Sequence, residues 1–147
     1  MKAAPAARDG VPSEDVLRRI RIPFVRRAQL SRHGVSEEIF IIDLGLLGVF
    51  VEHPGVVPIG EPVMLRFPLP GNEIPLEAEC RVAWRHDPQQ RLVSKQLPPG
   101  LGLEFVELEE QHHARIREHV LDHVRRHPRV RRFLRHWPEA DRAGDDP

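Results

Sequence analysis

Leu76-Glu77-Ala78-Glu79-Cys80-Arg81-Val82-Ala83-Trp84-Arg85 alternates small or apolar side chains with polar ones. With a side-chain period of 2, Leu76, Ala78, Cys80, Val82 and Trp84 fall on one face and Glu77, Glu79, Arg81 and Arg85 on the other. One buried and one wet face is the pattern of an antiparallel strand. Upstream, Val63-Met64-Leu65-Arg66-Phe67 alternates likewise, and Pro68-Leu69-Pro70-Gly71-Asn72 turns the chain between the two. Residues 38–43 and 48–52 predict two strands joined by a tight glycine-containing corner, and residues 24–30 open the set. Downstream, Leu101, Leu103 and Phe105 mark one face of a last strand, with Gly102 and Glu104 on the other. Five or six short strands, broken by Gly and Pro at roughly ten-residue spacing, predict an antiparallel barrel or sandwich. No βαβ alternation is present, which argues against a parallel sheet.

At Glu109 the period changes to 3.6. Glu109 and Glu110 suit a first helical turn, Ile116, Val120, Leu121 and Val124 form an apolar stripe, and Pro128 stops the helix. A second short helix follows over residues 128–138, with Val130, Phe133, Leu134 and Trp137 on one side, and residues 139–147 read as a disordered tail. At the other end, Ser13-Glu14-Asp15 can cap a short helix running to Arg19. The organisation expected is a flexible N-terminal segment (1–17), a domain with its closing helix (18–127), the short helix and the tail.

The 147 residues carry 22 Lys+Arg and 22 Asp+Glu, a formal net charge of zero. No run approaches the roughly 18 apolar residues of a membrane span, and the N-terminus has no apolar stretch of a secretory signal. The single cysteine, Cys80, forbids an internal disulfide and fits a reducing, cytoplasmic setting. The zero hides a pattern. Residues 18–32 hold six arginines and no acid; residues 33–110 hold five cations against 13 acids; residues 111–137 hold eight arginines against Glu118 and Asp122. The chain is basic, then acidic, then basic, so its neutrality says nothing against an anionic ligand. Lysine occurs only at Lys2 and Lys95, a bias whose plain account is a GC-rich genome.

Three groups of residues invite a chemical reading. In Arg18-Arg19-Ile20-Arg21-Ile22-Pro23-Phe24-Val25-Arg26-Arg27, guanidinium groups can grip phosphates bidentately and stack on a base, or simply discourage strand pairing. In Asp43-Leu44-Gly45-Leu46-Leu47-Gly48, a carboxylate can take a guanine edge and glycines allow close approach; all three are also ordinary turn residues. His119, His123 and His127 share one helix face, yet no third ligand is signalled and no metal site is expected. Cys80 lies on the apolar face and reads as core, and no serine has a nucleophile-elbow context. With no tyrosine, six Phe and two Trp, no base-stacking platform or nucleic-acid motif stands out.

Taken in order, these pieces resemble the PilZ domain, the bacterial receptor for cyclic di-GMP. The resemblance rests on Arg18/Arg19 with Arg21-Ile22-Pro23-Phe24, on Asp43 to Gly48, and on Cys80-Arg81-Val82-Ala83-Trp84. Gly100-Leu101-Gly102-Leu103-Glu104-Phe105 and the helix over 109–127 complete it. It implies a six-stranded antiparallel β-barrel with a C-terminal helix, no catalysis, and cyclic di-GMP as ligand with no cofactor. It also implies nucleotide binding by Arg18, Arg19, Arg21, Asp43, Gly45 and Gly48, and action through an effector protein of motility, pilus or polysaccharide control.

Two positions depart from the family pattern. In R-x-x-x-R ending at Arg21 the first arginine would stand at 17, which is Leu17; Arg18 and Arg19 are offset by one and two places. Gly45 stands where the family has serine, and losing one bond to a charged phosphate costs about 1.5–3 kcal/mol, or roughly 10- to 150-fold in affinity. The sequence therefore supports two readings: a cyclic-di-GMP receptor of weakened affinity, and a nucleotide-independent adaptor that binds protein alone.

Overall fold

A computed structural model describes residues 13–87 and 98–127. The element order is α1 (Glu14–Arg19), β1 (Arg21–Arg32), β2 (Val35–Gly45), β3 (Gly48–Glu52), β4 (Pro62–Leu69), β5 (Asn72–His86), β6 (Gly100–Glu107) and α2 (Glu110–Arg126). The six strands form a closed antiparallel barrel in the order β1-β2-β3-β6-β5-β4, as the resemblance implied. Closure is made where Gln29, Leu30 and Ser31 of β1 pair with Arg66, Leu65 and Met64 of β4. Every expected strand is present and each is longer than expected, except β3, whose bounds agree.

Alternation does the work along most of the wall. In β4, Val63, Leu65, Phe67 and Leu69 are buried and the residues between them exposed; in β5, Leu76, Ala78, Cys80 and Val82 are buried. Burial pushes the Cys80 thiol up to about 12, so it behaves as a small apolar residue. The one break in the reading of β5 is Trp84. A bulge between Val82 and Trp84 slips the register against β6, so Trp84 leaves the inward face and stands 41% exposed on the outer wall.

The two helices close the barrel and belong to the same core. Ser13 caps α1 by accepting from the Val16 N–H, and Leu17 is fully buried with Ile20, Ile22 and the α2 stripe Ile116, Val120, Leu121 and Val124. Residues 14–17, assigned from sequence to the segment ahead of the domain, thus form a docked helix, because one leucine of that turn finds the core. The short helix expected over 128–138, the tail over 139–147 and residues 1–12 lie outside the described residues.

Helix α2 packs across β1, β2 and β4. Its His119 meets the Phe24 ring edge-on at 5.4 Å, and Phe24 meets Phe67 the same way at 6.0 Å. Arg117 of α2 holds Glu14 of α1 through two hydrogen bonds, at 2.7 and 2.5 Å, tying the two helices together. Partial burial pushes His119 below its ordinary value; Asp122 opposes the shift, while Arg26 of β1 and Arg126 add to it. His123 is lowered by burial and then by His127, His119 and Arg126, with Asp122 opposing.

The sign follows from linkage. The fold binds these protons more weakly than the unfolded chain, so their contribution is present above the ordinary value of 6.5 and is lost as pH falls through the lowered values. Calorimetric melting is therefore expected to shift downward between about pH 7.5 and pH 5.5, and His119→Gln/His123→Gln to flatten that slope. An unchanged slope in the double variant would show that the histidines are not responsible.

Candidate functional site

The first basic stretch reaches the barrel through one turn of chain. Ile20, extended at φ −74° and ψ 133° and almost fully buried, lies between exposed Arg19 and half-buried Arg21. Burying Ile20 leaves the arginines on either side of it outside the core. Arg18 and Arg19 sit in the last turn of α1, and neither makes an ion pair or hydrogen bond among the described residues.

Arg21 is engaged. Its Nε and Nη2 donate to Oδ1 of Asp43 at 3.0 and 2.9 Å, with side-chain exposures of 23% and 20%. Asp43 faces outward only because of a second bulge, between Ile41 and Asp43 in the β2–β3 ladder. Ile39 and Ile41 point inward, so strict alternation would send Asp43 inward too; the extra residue hands that place to Leu44 instead. Burial pushes the Asp43 carboxyl above its ordinary value, while the Arg21 charge, its hydrogen bond and the Phe50 backbone N–H pull the other way.

The corner after Asp43 is apolar because most of it is core. Leu44 and Leu46 are buried, and only Leu47 faces solvent, its carbonyl accepting from the Phe105 N–H at 2.8 Å. Gly45 pairs with Arg21 in the ladder, and a Cβ there would lie 2.7 Å from the Ile20 carbonyl oxygen and 3.3 Å from Arg21 Cδ. The backbone ahead of Arg21 occupies the room a serine side chain needs. At Gly48 a Cβ would lie 2.0 Å from the Leu103 carbonyl oxygen, so this glycine serves the close pairing of β3 with β6. Arg21, Asp43 and Gly45 come together, Arg18 and Arg19 stand one turn away, and Gly48 faces the β6 backbone.

Sequence reasoning missed an aromatic feature beside this group. Asp43, Phe50, Gly102 and Trp84 are successive ladder partners across β2, β3, β6 and β5. Phe50 points outward yet is fully buried, because Trp84 stacks on it at 5.1 Å with rings 19° apart. Gly102 permits this: a Cβ there would lie 2.0 Å from the indole Nε1. The exposed indole offers the flat stacking surface that composition did not suggest. A glycine set in a strand opposite a tryptophan was the available signal. Among the described residues, no three His, Cys, Asp or Glu side chains are grouped to hold a metal.

The family model described as the PilZ domain matches residues 17–122. The structure of the Bacillus subtilis inhibitor of motility, MotI/DgrA, aligns with a TM-score of 0.60 at 17% identity, covering 71% of this chain and 49% of that one. The PilZ domain of YcgR from Escherichia coli, a structure with c-di-GMP, aligns with a TM-score of 0.54 at 12% identity, covering 76% and 93%. The chain thus spans about half the length of the Bacillus protein, and at these identities the likeness is one of fold. No curated protein matches the sequence.

The geometry at Gly45 yields a prediction opposite to simple motif repair. Gly45→Ser is expected to lower stability by about 1–3 kcal/mol, since a backbone carbonyl must move to admit the side chain. Thermal or urea unfolding measures this, and a variant as stable as the parent would show that the Ile20 segment yields freely.

Proposed function

The chain belongs to the PilZ domain family, and from that premise we propose that it is a cytoplasmic cyclic-di-GMP receptor of weakened affinity that acts through a protein partner. The observation that carries this reading is the Arg21–Asp43 pair on the outer wall, 2.9 Å apart, with Arg18 and Arg19 in the last turn of α1 just ahead of it, neither making a side-chain hydrogen bond among the described residues. A bis-phosphate ligand supplies anions for three guanidinium groups, and a guanine edge supplies N–H donors for the Asp43 carboxylate. Binding then exchanges partners: phosphate replaces carboxylate at Arg21, and guanine replaces guanidinium at Asp43. Gly45 contributes no hydroxyl, which is the reason for the reduced affinity.

The same site is linked to the rest of the molecule. Arg18 and Arg19 lie on α1, and Glu14 of that helix is held by Arg117 of α2. A nucleotide that repositions α1 loads this clasp and so reaches the C-terminal helix, where an effector of motility, pilus or polysaccharide control would read the change. No catalytic step is part of the proposal. Among the described residues no helix is long and apolar enough to cross a membrane.

A nucleotide-independent adaptor is the second reading. It is favoured by the closed Arg21–Asp43 pair and by the Ile20 carbonyl that fills the serine position. Titration calorimetry at low salt separates the two. The receptor reading expects saturable heat with a Kd in the micromolar range, weakened roughly 10-fold or more by Arg21→Ala. No heat at high micromolar nucleotide leaves the adaptor reading standing, and unchanged binding by Arg21→Ala would put the ligand elsewhere.

A further inference from the structure

We propose that the outer wall around Glu79 and Glu107 is a docking surface for the basic C-terminal segment 128–138 of a second copy of this chain. A further bulge shapes it. Glu79 pairs with Glu107 and Cys80 with Phe105, so Val106 is the extra residue and stands 59% exposed. In the next ladder Glu79 pairs with Met64, itself 39% exposed. Val106, Met64, Pro62, Ser31 and Glu79 line a groove of about 410 Å³. The wall stands apart from the nucleotide group, since Glu79 and Glu107 lie five residues along β5 and β6 from Trp84 and Gly102, roughly 16 Å.

Charge selects the occupant. The rows on either side neutralise themselves: Arg66 faces Glu77 at 3.8 Å, and Arg81 holds Glu104 at 2.6 Å. The row between them does not. Glu79 and Glu107 are direct cross-strand neighbours, and neither has an ion pair among the described residues. Like charges placed directly opposite repel. Two carboxylates beside exposed apolar groups fit a segment in which arginines are mixed with large apolar residues. The chain itself contains one. Arg129, Arg131, Arg132 and Arg135 are interleaved with Val130, Phe133, Leu134 and Trp137, the apolar four recurring at i, i+3, i+4 and i+7. Arg131 and Arg135, four apart, have the spacing of neighbours on one helix flank, which is close to that of two cross-strand carboxylates.

Reach decides which copy supplies the segment. Helix α2 starts three residues after Glu107, and its 17 residues carry the chain about 25 Å away. Helical spacing over residues 128–138 covers only about 16 Å, too short to return to the wall of the same chain. A second copy has no such restriction. With one wall and one segment per chain, a two-fold pair makes the contact twice.

Sedimentation velocity of the full chain at low salt tests this. The mass is expected to rise with concentration toward twice that of one chain, and to fall back as salt screens the contact. Glu79→Arg/Glu107→Arg and Arg131→Glu/Arg135→Glu are each expected to weaken association at least about 10-fold. Mixed one to one, the two variants are expected to associate again, because each then offers the charge the other lacks. A parent that stays monomeric overturns the proposal and leaves the wall to a different basic partner. Unchanged association in either variant overturns it as well. So does a mixture that stays monomeric while each variant melts below the parent, which would assign the segment to the wall of its own chain. Should Glu79→Arg/Glu107→Arg not fold, Glu79→Gln/Glu107→Gln takes its place, and association as tight as the parent's again overturns the proposal.

Discussion

Three residue pairs, Gln29 with Arg66, Leu30 with Leu65 and Ser31 with Met64, close the sheet, and the rest of the architecture depends on that closure. Along those three pairs the sheet joins itself, so the two outermost strands of the order share an edge there. A barrel of this strand number is filled by its own side chains, so no ligand enters the middle. Everything that meets the outside world must therefore lie on the outer wall, at the ends, or on the two helices. The candidate arginines, Asp43 and the Phe50–Trp84 stack obey that restriction.

How side chains reach the outer wall is the less obvious part. Asp43 and Trp84 both follow, by strict alternation, inward-facing residues, Ile41 and Val82. Each is turned outward by a register shift, between Ile41 and Asp43 and between Val82 and Trp84. A bulge re-aims a side chain while the ladder on either side continues. Two such bulges set a carboxylate and an indole in one row across four strands, with Phe50 and Gly102 between them.

This also explains what was legible in the sequence. Alternation from Leu76 to Val82, the change of period at Glu109 and the order of glycine and tryptophan motifs identified the barrel, its closing helix and its family. A bulge is one residue of slippage between partners far apart in sequence, so Trp84 reads as an inward residue when its strand is read alone. Gly45 was legible as a missing serine. That its place is filled by the Ile20 carbonyl depends on a contact between β1 and β2 that no single segment contains.

The three charge zones are joined by particular contacts. Arg21 of the first basic zone pairs with Asp43 of the acidic barrel, and Glu14 pairs with Arg117 of the second basic zone. The second contact is exposed and weak on its own. Its importance is positional, because it spans the helix that carries Arg18 and Arg19. The first contact sets the energetics of the proposed site. Arg21 already satisfies Asp43, so exchanging phosphate for carboxylate and guanine for guanidinium replaces one set of charge-assisted bonds with another and gains little. On the proposed reading, net affinity would come from Arg18 and Arg19, neither of which makes a side-chain hydrogen bond among the described residues. On that reading the closed Arg21–Asp43 pair would act as a selectivity gate. A ligand that brings only an anion leaves Asp43 stranded, whereas one that brings an anion and N–H donors together satisfies both sides.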